Sequence, residues 1–206
     1  AGIGTLVNLE TLYASSNALT GVDELSGLTA LTALYLGNNQ IAGLPDLSAL
    51  TALVYLDLRY NLLASTDALA PLTALNTLDL RGNQLTGVAG LSGLPVLWTL
   101  NLNYNRITDV TPLSGLTALQ WLGLRDNRLT DAAPLAGLSS LYSLDLRFNH
   151  LVTIAALPGG AVFTTAASTP NMNIQYNPLL ADVCDTQIPA LEARGVTVTH
   201  DACTGP

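Results

Sequence analysis

Leucine recurs along this chain with a period of 22 residues. Each unit has a second leucine three positions after the first, and most units carry a third leucine two positions later. This L-x-L alternation predicts a short strand with one buried face. Since one unit cannot bury its own leucines, we expect the units to stack into a continuous solenoid with parallel strands on its concave side. The first leucines of the seven regular units are Leu9, Leu31, Leu53, Leu75, Leu97, Leu119 and Leu141.

An asparagine stands eight positions after the first leucine of every regular unit, from Asn17 to Asn149. Its amide can hydrogen-bond neighbouring backbone groups from inside a turn, so a ladder of buried asparagines is chemically reasonable. The second half of each unit is rich in Pro, Gly, Ser and Thr, as between Leu44 and Leu50. That composition favours a tight return with turns or a short 3₁₀ segment.

The segment LTALYLGNNQIAGLPDLSALTA, residues 31–52, resembles the leucine-rich repeat family, whose signature is L-x-x-L-x-L-x-x-N-x-L. Its 22-residue length is similar to the internalin-like bacterial class, and the match runs from residue 3 to 157 before it weakens. The resemblance implies an α/β solenoid, a right-handed superhelix with a concave parallel sheet of about eight strands. It also implies a non-enzymatic interaction domain.

Two domains are predicted: a solenoid over residues 1–180 and a C-terminal cap over 181–206. The solenoid holds units anchored at 9, 31, 53, 75, 97, 119 and 141, and a degenerate one near 169. Ile3 and Leu6 match the tail of a preceding unit, which favours a fragment of a larger protein over a self-capping or partner-covered end.

Six residues are inserted before the eighth unit, in the stretch 155–171. The simple interpretation is a surface loop, which solenoids tolerate. The alternative is a projecting element with Phe163 at its tip, in contact with a ligand.

Cys184 and Cys203 are the only cysteines. Between them the sequence predicts a short helix, a glycine turn and a strand of Val196 and Val198. A disulfide here would pin the cap, with a stabilisation of roughly 3 kcal/mol in the chain-entropy model. Such a bond implies an oxidising compartment, so we expect an extracellular, cell-surface or periplasmic protein. Two free thiols remain the alternative.

The charge balance excludes several function classes. Seven basic residues, all Arg, stand against 15 acidic ones, for a formal net charge of −8. This argues against sequence-independent nucleic-acid binding and against a polybasic membrane surface. No uninterrupted apolar stretch is long enough for membrane insertion.

An enzyme is also disfavoured. Asp57 and Asp79 could approach the spacing of a glycosidase pair, but Arg59 and Arg81 beside them should hold both carboxylates ionised. The only histidines are His150 and His200, and no metal-ligand constellation or phosphate-binding glycine loop is present. We therefore expect no catalytic residues, no metal and no cofactor.

The variable positions of the strands predict a partner-binding face instead. Equivalent positions of successive strands form columns across the predicted sheet. A column of Asp residues is expected beside a column of Arg residues. In the column after the Arg residues, the aromatic rings are expected about 10 Å apart, at two strand spacings. Aromatic and Arg side chains on one face are typical of interaction surfaces. The predicted partner-binding residues are Tyr35, Tyr55, Asp57, Arg59, Tyr60, Asp79, Arg81, Trp98, Tyr104, Trp121, Arg125, Tyr142, Arg147 and Phe148.

Other interpretations of the same face stay open. The charged columns can simply neutralise each other, and the rings can support the sheet. We predict a protein ligand, in an adhesion or host-recognition role, with a glycan-binding module as the alternative. A structural spacer of a larger surface protein would leave the face without a ligand. An engineered scaffold is a further alternative, against which the irregular eighth unit argues.

Overall fold

In the computed structural model, which describes residues 2–159, 163 and 169–201, the chain forms one parallel sheet. Its nine strands follow each other in chain order, one more strand than the eight predicted. The extra strand comes from the segment that the sequence assigns to the cap. The strands are β1 (Thr11–Tyr13), β2 (Ala33–Tyr35), β3 (Tyr55–Asp57), β4 (Thr77–Asp79), β5 (Thr99–Asn101), β6 (Trp121–Gly123), β7 (Ser143–Asp145), β8 (Asn171–Asn173) and β9 (Thr197–Thr199).

The register of the sheet repeats the period of the sequence. Leu12 pairs with Leu34, Leu34 with Leu56, and so on through β7. Leu144 pairs with Met172, 28 positions later, which confirms the six-residue insertion. Each strand therefore belongs to one turn of the solenoid, called a rung below.

The leucines of all rungs form one continuous core behind the sheet, and most are completely buried. The chain returns from each rung through short extended and 3₁₀ segments, as the composition predicts. The 3₁₀ segments are Ile3–Thr5, Asp23–Gly27, Asp67–Leu69, Ala89–Leu91, Thr111–Leu113 and Ala133–Gly137. The leucine-rich solenoid inferred from the sequence is thus confirmed.

The asparagine ladder joins each rung to its neighbour. The side-chain Oδ1 of Asn83 accepts the Leu63 N–H of the preceding rung at 3.0 Å. Its Nδ2 donates to the Leu58 carbonyl of the preceding rung at 3.0 Å and to the Leu80 carbonyl of its own rung at 2.9 Å. Every rung from the second to the eighth repeats this pattern, so each amide satisfies backbone groups that no strand pairs.

The insertion does not project Phe163 to a ligand. A short helix, α1 (Ala156–Gly159), opens it, and Phe163 is only 6% exposed and belongs to the hydrophobic core. The hypothesis of a projecting aromatic tip is therefore wrong. Burial of a large apolar ring stabilises the fold, and the sequence pattern alone could not distinguish a buried from an exposed phenylalanine here.

The C-terminal segment extends the solenoid. A π-helical turn (Val183–Gln187) leads into α2 (Ile188–Glu192), and β9 then pairs with β8. The buried Gln187 accepts the Ile154 N–H at 2.8 Å and donates to the Asp182 carboxylate at 2.7 Å, which fixes the turn to the seventh rung.

Two sequence expectations concern the ends and the membrane. Cys184 packs against the core, but Cys203 lies outside the described residues, so its pairing with Cys184 stays a prediction. Over the described ranges, the chain has no helix with the length and apolarity needed to cross a bilayer.

The asparagine ladder makes a stability prediction. Asn83→Ala leaves the buried Leu63 N–H without its acceptor, so we expect a loss of about 2–4 kcal/mol in the free energy of unfolding. Asn17→Ala is the matched control, because the Asn17 amide donates only to carbonyls of its own rung. It should cost less than about 1 kcal/mol. Urea unfolding followed by circular dichroism measures both, and equal losses would contradict the role of the ladder.

Candidate partner-binding surface

Four columns of side chains run across the sheet on the face turned away from the leucine core, here called the concave face. The first column holds the first residue of each strand, and the second column holds the third residue. The third column stands two positions after the strand. The fourth column stands one position later and is called the left-handed column, after its backbone conformation. In β3 these four places are Tyr55, Asp57, Arg59 and Tyr60.

Side chains of the second column hold the turn that follows each strand. Asp79 Oδ1 accepts the backbone N–H of Arg81 at 3.1 Å, and its Oδ2 lies 3.4 Å from the Arg81 Nε. Asp57 and Asp145 hold Arg59 and Arg147 in the same way, and Asn101 and Asn173 provide the same acceptor without the charge. The predicted Asp and Arg columns therefore form pairs in three rungs, whereas Arg125 follows Gly123 and pairs with Asp126 instead.

Two consequences of this pairing were not visible in the sequence. Asp57 is only 2% exposed, so it can position Arg59 but offers almost no surface to a partner. Burial raises the pKa of Asp79, even though the N–H and guanidinium of Arg81 pull it down. Desolvation therefore opposes the guanidinium of Arg81 at this carboxyl, a contribution that the sequence expectation did not include.

Every residue of the left-handed column adopts a positive φ, between 51° and 67°. Glycine and asparagine accept this conformation readily, whereas a bulky residue there is a conformational outlier. Asn38 and Gly82 follow that rule. Four rungs nevertheless carry an aromatic residue in this place: Tyr60, Tyr104, Phe148 and Tyr176, here called the aromatic ridge.

The rings of the ridge contact the neighbouring rungs through cations and other rings. The Tyr60 ring lies over Gly82, where a Cβ would come within 2.4 Å of the Tyr60 Cδ1. The guanidinium of Arg125 lies between two rings, 5.3 Å from the Tyr104 centroid and 5.0 Å from that of Phe148. The predicted gap between alternate rings is therefore filled by a cation.

The ridge continues into the eighth rung. Phe148 stacks on Tyr176 with 4.1 Å between the ring centroids. Tyr60, Tyr104 and Tyr176 are 46%, 42% and 55% exposed, which leaves large apolar faces in contact with solvent. The sequence spacing indicated this column, but neither its backbone conformation nor the intercalated Arg125.

Five of the predicted aromatic residues lie outside the ridge: Tyr35, Tyr55, Trp98, Trp121 and Tyr142. Tyr35 stacks between Tyr13 and Tyr55, with centroid distances of 4.5 Å and 4.7 Å, and this run supports the first three rungs. Trp98, directly before β5, is 46% exposed.

Three of these aromatic residues surround a recess on the concave face. Tyr55, Trp121 and Tyr142 line it together with Asp79, and its volume is about 390 Å³. These aromatic residues are therefore separated from the ridge, which occupies another column.

Two further observations concern a second recess and metal binding. A recess of about 520 Å³ at the first rung is lined mainly by core residues such as Leu12, Leu19 and Leu36, because Ala14 stands where later rungs have leucine. Among the residues that the structure describes, no three His, Cys, Asp or Glu side chains are grouped so that they could hold a metal ion.

Comparison with known proteins gives one family. The family model of leucine-rich repeats, in two copies, matches residues 7–49, 29–71 and 73–115. No curated protein sequence matches the chain.

Solved structures give the same fold. Internalin C2 from Listeria monocytogenes is 31% identical, with a TM-score of 0.77 over 96% of this chain and 84% of its own. Another internalin from that organism is also 31% identical, with a TM-score of 0.77, and matches 88% of this chain. A leucine-rich repeat protein of Leptospira interrogans is 24% identical, with a TM-score of 0.77 over 99% of this chain. The chain spans only 53% and 58% of the latter two proteins.

The left-handed column makes a prediction about stability. Tyr104→Asn relieves backbone strain and loses one cation–π contact, so the free energy of unfolding should change by less than about 1 kcal/mol. Tyr104→Val loses the same contact but places a β-branched residue at positive φ, and should cost about 1–2 kcal/mol more than the Asn variant. Urea unfolding of both variants tests this order. The reverse order would contradict the argument that the positive φ sets the preference for residue type at this position.

Proposed function

The chain belongs to the leucine-rich repeat family, with internalins among its relatives, and we propose that it binds a protein partner on its concave face. Proteins of this type are generally interaction modules rather than enzymes. The ridge residues Tyr60, Tyr104 and Phe148 are the proposed apolar anchors. The arginines of the third column supply directional hydrogen bonds around these anchors. They are Arg59, Arg81, Arg125 and Arg147.

The observation that carries this proposal is the backbone conformation of the ridge. An aromatic residue at positive φ costs stability, and the same column accepts Asn38 and Gly82 elsewhere in the chain. The backbone conformation of this column therefore does not favour an aromatic residue at Tyr60, Tyr104, Phe148 or Tyr176. Half-exposed rings kept at strained positions are the kind of feature that a binding role explains.

The arginines are arranged for recognition by their pairing. Arg147 donates from Nε and Nη2 to Asp145 at 2.9 Å and 2.6 Å, and this hydrogen bonding raises the pKa of Arg147. Its side chain stays 31% exposed. A guanidinium fixed in this way loses little further conformational freedom when it contacts a partner carbonyl or carboxylate.

The location follows from the cysteines, as a further part of the proposal. We place the protein outside the cytoplasm on the strength of the expected Cys184–Cys203 bond. The adhesion or host-recognition role rests instead on the proposed protein partner and on membership of the leucine-rich repeat family. Cys184 lies at the start of the C-terminal segment, where it packs against the core. A disulfide from there would hold α2 and β9 over the last leucines.

The binding proposal is tested with a ridge variant. Tyr104→Asn and Phe148→Asn combined remove two anchors but insert a residue that this column already uses at Asn38. Immobilised wild type and variant are exposed to surface proteins of candidate host cells, and retained proteins are identified by mass spectrometry. We expect a defined set of proteins on the wild type, with at least a tenfold weaker Kd for the variant, about 1.4 kcal/mol or more.

Leu62→Asn is the matched control for this experiment. Leu62 is a 44% exposed apolar residue that follows Asn61, outside the four columns of the concave face. This variant should bind as the wild type does. Equal retention of deglycosylated proteins by the ridge variant would refute the proposal, and retention that disappears after enzymatic removal of glycans would favour the glycan-binding alternative.

The disulfide has its own test. Without reductant, the 184 and 203 peptides should be found cross-linked by mass spectrometry, and reduction should lower the Tm of the protein. The bond is worth roughly 3 kcal/mol in the chain-entropy model. Cys184→Ser should show the same lower Tm with and without reductant. Free thiols in protein purified without reductant would contradict both the bond and the argument for an oxidising compartment.

A further inference from the structure

The recess between the third and seventh rungs has a composition unlike that of the ridge. Three aromatic residues line it: Tyr55 on β3, Trp121 on β6 and Tyr142 directly before β7. Between them lie the polar residues of β4 and β5, which are Thr77, Asp79, Thr99 and Asn101. The volume of about 390 Å³ falls in the range of sites for small ligands.

Several hydrogen-bonding groups of this recess have no protein partner. Over the described ranges of the chain, no hydrogen bond is made by the Thr99 hydroxyl, the Tyr55 and Tyr142 phenols, the Trp121 indole N–H or the Asn101 Nδ2. All these residues are half-buried. An apolar ligand would leave these groups without partners, which is unfavourable.

The charge of the recess is balanced. Among the residues that the structure describes, Asp79 is the only carboxylic acid that lines it. Its carboxylate accepts the N–H of Arg81 and lies 3.4 Å from the Arg81 Nε. A cationic ligand would have to approach next to that guanidinium, and an anion would meet the carboxylate. The surroundings therefore favour a neutral ligand with many hydroxyl groups.

Trp121 provides a flat apolar surface beside these polar groups. Its ring lies across Gly123, where an added Cβ would come within 2.6 Å of the Trp121 Cη2. The missing side chain at Gly123 thus makes room for the indole to lie along its own strand. A flat ring next to hydroxyl, amide and carboxylate groups matches a pyranose, which has one apolar C–H face and a polar rim.

We propose that this recess binds one neutral hexopyranose residue of a glycan, with Trp121 against the sugar face and Thr99, Asn101 and Asp79 bonded to its hydroxyls. The Tyr55 phenol, whose pKa is raised by burial, also lines the recess. None of the lining residues of this site belongs to the left-handed column, and its nearest connection to the ridge is Arg81, which pairs with Asp79 and lies 5.5 Å from the Tyr60 ring centroid.

The test is a titration of the full chain with a panel of neutral hexoses and their oligosaccharides, followed by calorimetry and by ligand-observed NMR. We expect at least one neutral sugar to bind, and Trp121→Ala to abolish detectable binding. Thr99→Val keeps the shape of the side chain but removes its hydroxyl, and should weaken binding about tenfold without lowering the Tm.

Two comparisons decide the outcome. The ridge variant Tyr104→Asn with Phe148→Asn should bind the sugar as the wild type does, so that loss of a protein partner and loss of the sugar are separate results. The proposal is overturned if no neutral sugar binds, or if Trp121→Ala and Thr99→Val bind it with unchanged affinity. A correctly folded Trp121→Ala, checked by circular dichroism, excludes loss of binding through unfolding.

Discussion

The structure depends on how the backbone groups of each turn are satisfied inside the solenoid. The carbonyl of Leu80 has no strand partner, and it accepts the amides of Asn83 and Asn105 from two successive rungs. An unpaired carbonyl at this depth would cost free energy comparable to a lost hydrogen bond. Because each asparagine serves two rungs, the ladder makes the stability of one rung depend on its neighbour, as expected for a stacked repeat.

This interior arrangement leaves the outer positions free to vary. Leucines and asparagines fix the core and the turn, so the four concave columns carry few structural duties beyond the second-column acceptors such as Asp79 and Asn101. The ridge at Tyr104 and the recess at Trp121 are therefore two different uses of one scaffold. They lie in different columns of the same face.

Near both proposed sites, the positive charge of an arginine is balanced by a neighbouring carboxylate. Arg81 and Arg147 each meet a carboxylate from their own strand, so the face shows guanidinium groups without a strong local positive field. This suits a surface on an acidic protein, with a net charge of −8, that still has to present directional donors. Specificity then comes from the shape of the rings and from positioned hydrogen bonds more than from long-range attraction.

The sequence by itself determined the repeat, the strand register, the asparagine ladder and the column in which each concave residue lies, because all of these follow from a local period. It did not determine the burial or the contacts of side chains whose neighbours lie 20 or more positions away in the chain. Only the tertiary structure decided that Phe163 is buried, that Asp57 is hidden, that Arg125 fills the space between two rings, and that Thr197–Thr199 adds a ninth strand. These outcomes depend on packing between rungs, on desolvation and on backbone dihedral angles, which a one-dimensional pattern does not contain.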